Sequence, residues 1–196
     1  MKRIEEGKIS FEFGERWEVE KWDTHKAYLG GINKLNGELT ESDGTTRSEG
    51  TKAVDFVGVL DEGKLYFCEV KDFRGHRVEN KKRQIRELPL EIGLKVRDTL
   101  AGLTGAYASK SGQAWVELCG QALVARKHQV RVIAWIADDS IRPRETRGQR
   151  AVHDSVRLSK IKQSLSWLTT HVWVEDPFEH SLPDMKVESL PGAGRF

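Results

Sequence analysis

The stretch from Lys52 to Lys71 constrains the fold more than any other part of the 196-residue chain. Two runs rich in β-branched and aromatic residues, 53–60 and 65–70, flank the turn sequence Asp61-Glu62-Gly63. This arrangement predicts a β-hairpin. Both runs are apolar on both faces, which is typical of central strands that other elements cover on each side. We therefore expect the hairpin to lie in the interior of a sheet.

The turn indicates which residues of the hairpin oppose each other. The predicted opposed pairs are Val59 with Leu65, Val57 with Phe67 and Asp55 with Glu69. Lys71 lies on the same face as Glu69, because side chains alternate between faces along a strand. Two carboxylates about 5 Å apart repel each other unless a cation lies between them. The sequence therefore predicts three charged side chains on one face and a cation beside the carboxylates.

A divalent metal ion would satisfy this arrangement. Asp55 and Glu69, together with the Val70 carbonyl, offer the hard oxygen donors that Mg²⁺ or Mn²⁺ prefers. Lys71 would then orient or deprotonate a metal-bound water, or it would stabilise charge that builds on a phosphate. The residues alone leave both roles of Lys71 open, and they also leave open a plain ion pair at the rim of a sheet.

The spacing within the hairpin resembles that of a known family. Asp55, a gap of thirteen residues and then Glu69-Val70-Lys71 in an apolar strand resemble the PD-(D/E)xK nuclease superfamily. The residue before Asp55 is Val54 rather than Pro, a variation that the superfamily commonly shows. The resemblance implies that Asp55 and Glu69 hold the metal, that Lys71 serves the attacking water, and that a phosphodiester of DNA or RNA is cut.

Other segments resemble uncharacterised bacterial members of this superfamily. These segments are Trp22-Asp23, Lys52 to Phe56 and Lys95 to Ala101. Some nucleases of the class place another acid in the first helix, and Glu20 or Asp23 would be that acid here. In the same fold the helix after the Glu-x-Lys strand often supplies a polar residue to the site, which implies that Lys95 or Arg97 approaches phosphate.

The periodicity predicts an α/β fold with a central mixed β-sheet flanked by helices, and the resemblance implies that its architecture is restriction-endonuclease-like. The apolar stripes predict helices over 90–108 and 152–168, and the near-continuous apolar run 130–137 predicts a buried strand. We expect a single domain over 1–196, which ends in an irregular, proline-containing tail over 176–196.

Basic residues gather beside the predicted site. From Lys71 to Arg97 there are nine Lys and Arg against four Asp and Glu, whereas residues 1–62 carry fourteen acids against nine bases. A positive surface of this kind attracts a phosphate backbone. Arg74, His76 and Arg77 follow the strand directly, so we expect them, with Lys95 and Arg97, to contact nucleic acid.

Several other classes of protein are not supported by the sequence. The six histidines are scattered and the two cysteines have no zinc or disulfide spacing, which favours a reducing compartment and hence the cytoplasm. No run approaches the roughly 18 apolar residues of a membrane span. No glycine-rich phosphate loop follows a strand. The sequence therefore offers no support for a zinc enzyme, an ATP-driven protein or a membrane protein.

The predicted function is metal-dependent hydrolysis of phosphodiester bonds in nucleic acid, with DNA favoured over RNA. One alternative is a nucleic-acid-binding or assembly module that keeps the fold and the basic surface without catalysis. Another is a structural protein in which the charged residues form only an ion network. A homodimer, with the tail contributing to the contact, is also left open.

Overall fold

The computed structural model describes residues 1–40, 46–61, 63–74, 87–125, 130–138 and 147–190. Their strands are β1 (Lys2–Glu6), β2 (Ile9–Phe13), β3 (Trp17–Lys21), β4 (Gly37–Thr40), β5 (Thr46–Glu49), β6 (Phe56–Leu60), β7 (Lys64–Asp72), β8 (Arg131–Ala137), β9 (Val172–Glu175) and β10 (Met185–Ser189). Their α-helices are α1 (Lys26–Leu29), α2 (Leu88–Ala108), α3 (Ala114–Val124) and α4 (Arg147–Leu165). None of the helices in these ranges is long and apolar enough to cross a membrane.

Five strands form a central mixed sheet in the order β3-β6-β7-β8-β9. The first three pair antiparallel and the last three pair parallel. Helices α2 and α3 connect the parallel strands β7 and β8, and α4 connects β8 and β9. Such crossovers are how parallel neighbours are joined. The prediction of a mixed α/β fold with a central mixed sheet is confirmed, whereas α2 and α4 contribute to the core on one face of that sheet and a second sheet covers the other.

The hairpin β6-β7 lies in the middle of this sheet, with the predicted register. Val57 lies opposite Phe67 and Val59 opposite Leu65. All five residues of β6 are buried, because both faces of the hairpin are covered by other elements. The apolar composition of both faces was the correct signal for a central position.

The central sheet separates two hydrophobic cores. On one face Val57 and Phe67 pack with the apolar stripes of α2 and α4, which include Ile92, Val96, Leu103, Ile161 and Leu165. On the other face Phe56, Tyr66 and Trp135 pack with aromatic residues of β2. The ring centroids of Phe11 and Phe56 are 5.1 Å apart. The molecule is therefore layered as helices, five-stranded sheet and a second sheet.

The second sheet corrects one prediction, the irregular tail over 176–196. Residues Met185–Ser189 form β10, which pairs antiparallel with β2, while β1 pairs with the other edge of β2. Prolines suggested irregular structure, but Pro177 and Pro183 precede this strand rather than interrupt it, and positions 191–196 of the predicted tail lie outside the described residues. Met185 and Val187 alternate toward the core of the second sheet. The tail therefore includes an ordered strand.

Candidate functional site

The end of β7 brings together the two carboxylates that the sequence analysis paired. The Val70 backbone N–H donates to Asp55 Oδ2 at 2.6 Å, across the start of the hairpin. Glu69 has no solvent exposure, and the Asp55 residue is 7% exposed. The alternation that points Phe67 toward the helices also directs Glu69 and Lys71 toward α2. The predicted pair therefore forms a buried acidic site between the central sheet and α2.

Two lysines neutralise this pair in part. Lys95, from α2, lies 2.7 Å from Glu69 Oε1 and 3.5 Å from Asp55 Oδ1. Lys71 lies 2.9 Å from the same Glu69 oxygen and 2.7 Å from Glu91 Oε1. Glu91 and Lys95 are four residues apart, so they share one face of α2. Lys95, predicted to bind phosphate, thus contacts the predicted metal ligands.

The buried carboxylates carry raised pKa values. Burial, followed by the nearby charge of Asp55, raises the pKa of Glu69 from 4.5 to about 7. Burial also raises the pKa of Asp55, against the opposing effects of Lys95 and the Val70 N–H. Glu69 Oε2 has no hydrogen-bond partner among the described residues. An orphaned, fully buried carboxylate oxygen is the kind of donor that a cation would satisfy.

Both lysines remain ammonium groups in this environment. Burial lowers the pKa of Lys71, but Glu69 and Glu91 outweigh it and the net pKa is raised. Burial likewise lowers the pKa of Lys95, while Glu69 and Asp55 act more strongly in the other direction. At neutral pH the site therefore holds two positive charges against its carboxylates.

A second acidic group adjoins Asp55. One carboxylate oxygen each of Glu6, Asp23 and Asp55 lie within 4.8 Å of one another. Burial raises the pKa of Asp23, and Lys21 lies 2.8 Å from Glu6 Oε2. Asp23 is therefore the one predicted additional acid that the fold places beside Asp55.

The other predicted additional acid, Glu20, lies apart from this group. Its Oε1 atom forms an ion pair with Lys2 Nζ at 2.5 Å. Glu6 was missed by the sequence analysis. It ends β1, a strand with little alternation of apolar residues, and only the folding of the chain brings it near Asp55. No local pattern in the sequence links these two residues.

The charges of the joined network are unequal. Its ammonium groups belong to Lys21, Lys71 and Lys95. Its carboxylates belong to Glu6, Asp23, Asp55, Glu69 and Glu91. Among the described residues these are five carboxylates and three ammonium groups. The carboxylates are the hard oxygen donors that Mg²⁺ prefers.

Helix α2 also holds the backbone that leads into Asp55. The Lys52 N–H donates to Asp98 Oδ2 at 2.9 Å, and the buried Val54 N–H donates to Thr99 Oγ1 at 3.0 Å. The two segments named in the resemblance, 52–56 and 95–101, therefore contact each other. Asp98 and Thr99 position the segment that carries the first carboxylate.

The predicted phosphate contacts are only partly brought to this site. Arg97 is largely exposed and its guanidinium lies 2.7 Å from Asp98 Oδ1. Arg74 pairs with Asp72 at 2.6 Å, donates to Ser189 and lies over the Phe178 ring. The guanidinium of Arg74 is thus already bound by side chains of this protein. His76 and Arg77 lie outside the described residues.

The hydrogen bond from Val54 gives a first prediction. In a Thr99→Val variant the buried Val54 N–H loses its acceptor while the side-chain shape is kept. We expect the free energy of unfolding to fall by about 1 to 3 kcal/mol, measured by urea denaturation. Thr99→Ser should keep most of the stability. The exposed Thr104→Val on the same helix is the control, and equal effects of the two Val variants would contradict the role of Thr99.

Comparison with known proteins gives limited similarity. No model of a known protein family matches the chain, and no solved structure matches it. A curated protein to which it is similar is the cysteine–tRNA ligase of Neisseria meningitidis serogroup A / serotype 4A, at 28% identity over 156 residues. The match covers 72% of this chain and 22% of the ligase. The chain thus spans about a fifth of the length of this relative.

Proposed function

We propose that this chain is a metal-dependent nuclease of restriction-endonuclease-like architecture, which hydrolyses phosphodiester bonds in nucleic acid. The observation that carries the proposal is the environment of Glu69. This carboxylate is fully buried, one of its oxygens has no partner among the described residues, and Asp55 and two lysines surround it. Burying a carboxylate costs free energy unless hydrogen-bond donors, an opposite charge or a metal ion compensate for its lost hydration.

The residues fit a divalent cation. Asp55, Glu69 and the Val70 carbonyl would hold Mg²⁺ or Mn²⁺, and one carboxylate oxygen each of Asp23 and Glu6 lies within 4.8 Å of an Asp55 oxygen. A metal held there supplies a bound water of lowered pKa and positive charge beside a phosphate. Glu69 Oε2, which has no hydrogen-bond partner among the described residues, supports this assignment.

The roles of the protein groups follow from their contacts. Lys71 is held between Glu69 and Glu91, so its ammonium has a fixed position beside the proposed metal ligands. It would orient the attacking water and stabilise negative charge on the phosphate in the transition state. Asp98 and Thr99 hold the segment before Asp55 and so maintain the distance between the two carboxylates.

The proposed substrate is DNA, with RNA as the alternative. The basic residues between Lys71 and Arg97 suit a phosphate backbone of either kind. We favour DNA, in line with the resemblance to restriction-endonuclease-like proteins. The similarity to part of a tRNA ligase is a reason to include structured RNA among the substrates tested.

The test is a cleavage assay with single-stranded DNA, duplex DNA and structured RNA, in Mg²⁺, in Mn²⁺ and in EDTA. We expect cleavage of at least one substrate with metal and none in EDTA. A Lys71→Met variant should lose about 100- to 1,000-fold in turnover, because a fixed positive charge is removed from the transition state. The control is Lys64→Met at the opposite end of β7, where the lysine pairs with Asp61.

Two results of this assay would contradict the proposal. One is the absence of cleavage of every substrate at high protein concentration. The other is cleavage that survives EDTA or the Lys71→Met change.

A second candidate function is a nucleic-acid-binding or assembly module without catalysis. Two observations favour it: Lys71 and Lys95 already pair with the buried carboxylates, and nine Lys and Arg lie from Lys71 to Arg97 in the sequence. Such a module should bind nucleic acid in EDTA with strong dependence on salt. A nuclease needs metal for turnover, so binding in EDTA without any cleavage in metal would favour this candidate.

A further inference from the structure

Lys95 contacts both of the carboxylates that we assign to the metal. Its Nζ lies 2.7 Å from Glu69 Oε1 and 3.5 Å from Asp55 Oδ1. Its side chain is only 16% exposed, so water and salt screen its charge weakly. Within the described part of the chain, Lys95 forms ion pairs with both of these carboxylates.

A divalent ion and this ammonium group would compete for the same pair of acids. Two positive charges a few ångströms apart in a buried site repel strongly, because the effective dielectric constant there is far below that of water. Metal binding therefore either moves Lys95 away from Asp55 and Glu69 or is weakened by its presence.

Lys71 differs from Lys95 in this respect. It lies on the same oxygen of Glu69, but its shorter contact is to Glu91, at 2.7 Å. Glu91 is not one of the proposed metal ligands. Lys71 therefore keeps a partner when the metal is bound, whereas Lys95 loses its interaction with both.

We propose that Lys95 is the counter-ion that a divalent metal displaces from Asp55 and Glu69, and that its release frees the ammonium group for a substrate phosphate. This inference rests on the proposed function. It couples the two binding events: metal binding releases a phosphate contact, and a phosphate that holds Lys95 favours the metal. By thermodynamic linkage the two effects have equal size.

The test uses manganese alone, without nucleic acid. The affinity of the purified full chain for MnCl₂ is measured by isothermal titration calorimetry for wild type, Lys95→Met and Lys95→Arg. We expect Lys95→Met to bind Mn²⁺ at least about tenfold more tightly, a change of about 1.4 kcal/mol. Lys95→Arg keeps the charge and should resemble wild type. Lys160→Met, an exposed lysine on α4, is the matched control.

A second measurement needs no variant, in case Lys95→Met does not fold. The wild type is treated with a water-soluble amine-acetylating reagent with and without MnCl₂, and modification of each lysine is quantified by mass spectrometry. Modification of Lys95 should rise several-fold with Mn²⁺, while that of Lys71 should change less. An unchanged or reduced modification of Lys95 would overturn the inference.

The outcomes separate this inference from the proposed nuclease. If wild type and Lys95→Met bind Mn²⁺ equally, Lys95 does not compete and the inference fails, whereas metal-dependent cleavage is unaffected. If Lys95→Met binds more tightly but no substrate is cut, the inference holds and the nuclease proposal fails. If neither protein binds Mn²⁺, both are wrong.

Discussion

An Asp55→Asn variant is expected to lose all metal-dependent stabilisation and all cleavage. Asn keeps an oxygen that can accept a hydrogen bond from the Val70 N–H. It removes the negative charge that Asp55 contributes both to the pair with Glu69 and to the group with Glu6 and Asp23. At Mn²⁺ a hundredfold above its Kd, wild type should gain about 2.7 kcal/mol. For a chain of this length that corresponds to about 5 to 10 °C in melting temperature. The variant should gain nothing, as measured by thermal denaturation with and without MnCl₂.

Asp61→Asn is the control for this experiment. Asp61 lies in the hairpin turn, where it pairs with Arg16 and Lys64 away from the site. Its φ of 51° lies in the left-handed region, which Asn tolerates well. This variant should keep the full metal-dependent rise. A rise that persists in Asp55→Asn, or that is lost in Asp61→Asn, would show that the metal lies elsewhere.

The second large effect is on the pH dependence of stability. Because the pKa of Glu69 is about 7 in the folded protein and 4.5 ordinarily, the folded state binds more protons between these values. The contribution of Glu69 to stability is therefore full below about pH 4.5 and is lost as the pH rises through 7. In a Glu69→Gln variant this loss is absent. The free energy of unfolding of the variant minus that of wild type should increase by up to about 3 kcal/mol from pH 4.5 to pH 8.

Urea denaturation at several pH values measures this difference directly. The comparison is restricted to metal-free buffer, since a bound cation would hold Glu69 ionised. Glu18→Gln, at an exposed position on β3, serves as the control and should show no comparable trend. A constant difference between Glu69→Gln and wild type across this range would mean that Glu69 ionises in the folded protein as it does in the unfolded chain.

The parts of the fold that could be predicted are those with strong local signals. The hairpin has two apolar runs around a short turn, and the turn length determines that Val57 opposes Phe67. Helix α2 has a regular apolar stripe and Pro89 in its first turn. The helix extends from Leu88 to Ala108, close to the predicted range, because periodicity and turn chemistry agree there.

The second sheet could not be fully predicted, because its pairing is non-local. β2 alternates clearly, but β1 and β10 are short and half polar. β1 and β10 are stabilised by packing with the aromatic residues of β2 and with the face of the central sheet that the second sheet covers. The strands β4 and β5 lie in a polar segment whose sequence has no apolar face, so no local pattern predicts them either.

The same distinction holds for the site. The proximity of Asp55 and Glu69 follows from hairpin register and could be predicted. The contact of Lys95 with both carboxylates depends on how α2 packs on the sheet, which no local pattern specifies. The approach of Glu6 depends on the second sheet, and the ion pair of Glu20 with Lys2 depends on where β1 meets β3. These contacts require tertiary structure.

The pairing of β2 with β10 has a consequence for the order in which the chain folds during synthesis. The central hairpin, α2 and β8 can assemble once residue 137 has been made, whereas β2 must wait for residues 185–189 to fill its second edge. Closing so large a loop is slow compared with forming local contacts. Until then the apolar side chains Phe11 and Phe13 lack part of their cover. We therefore expect the second sheet to be completed after the central sheet has formed.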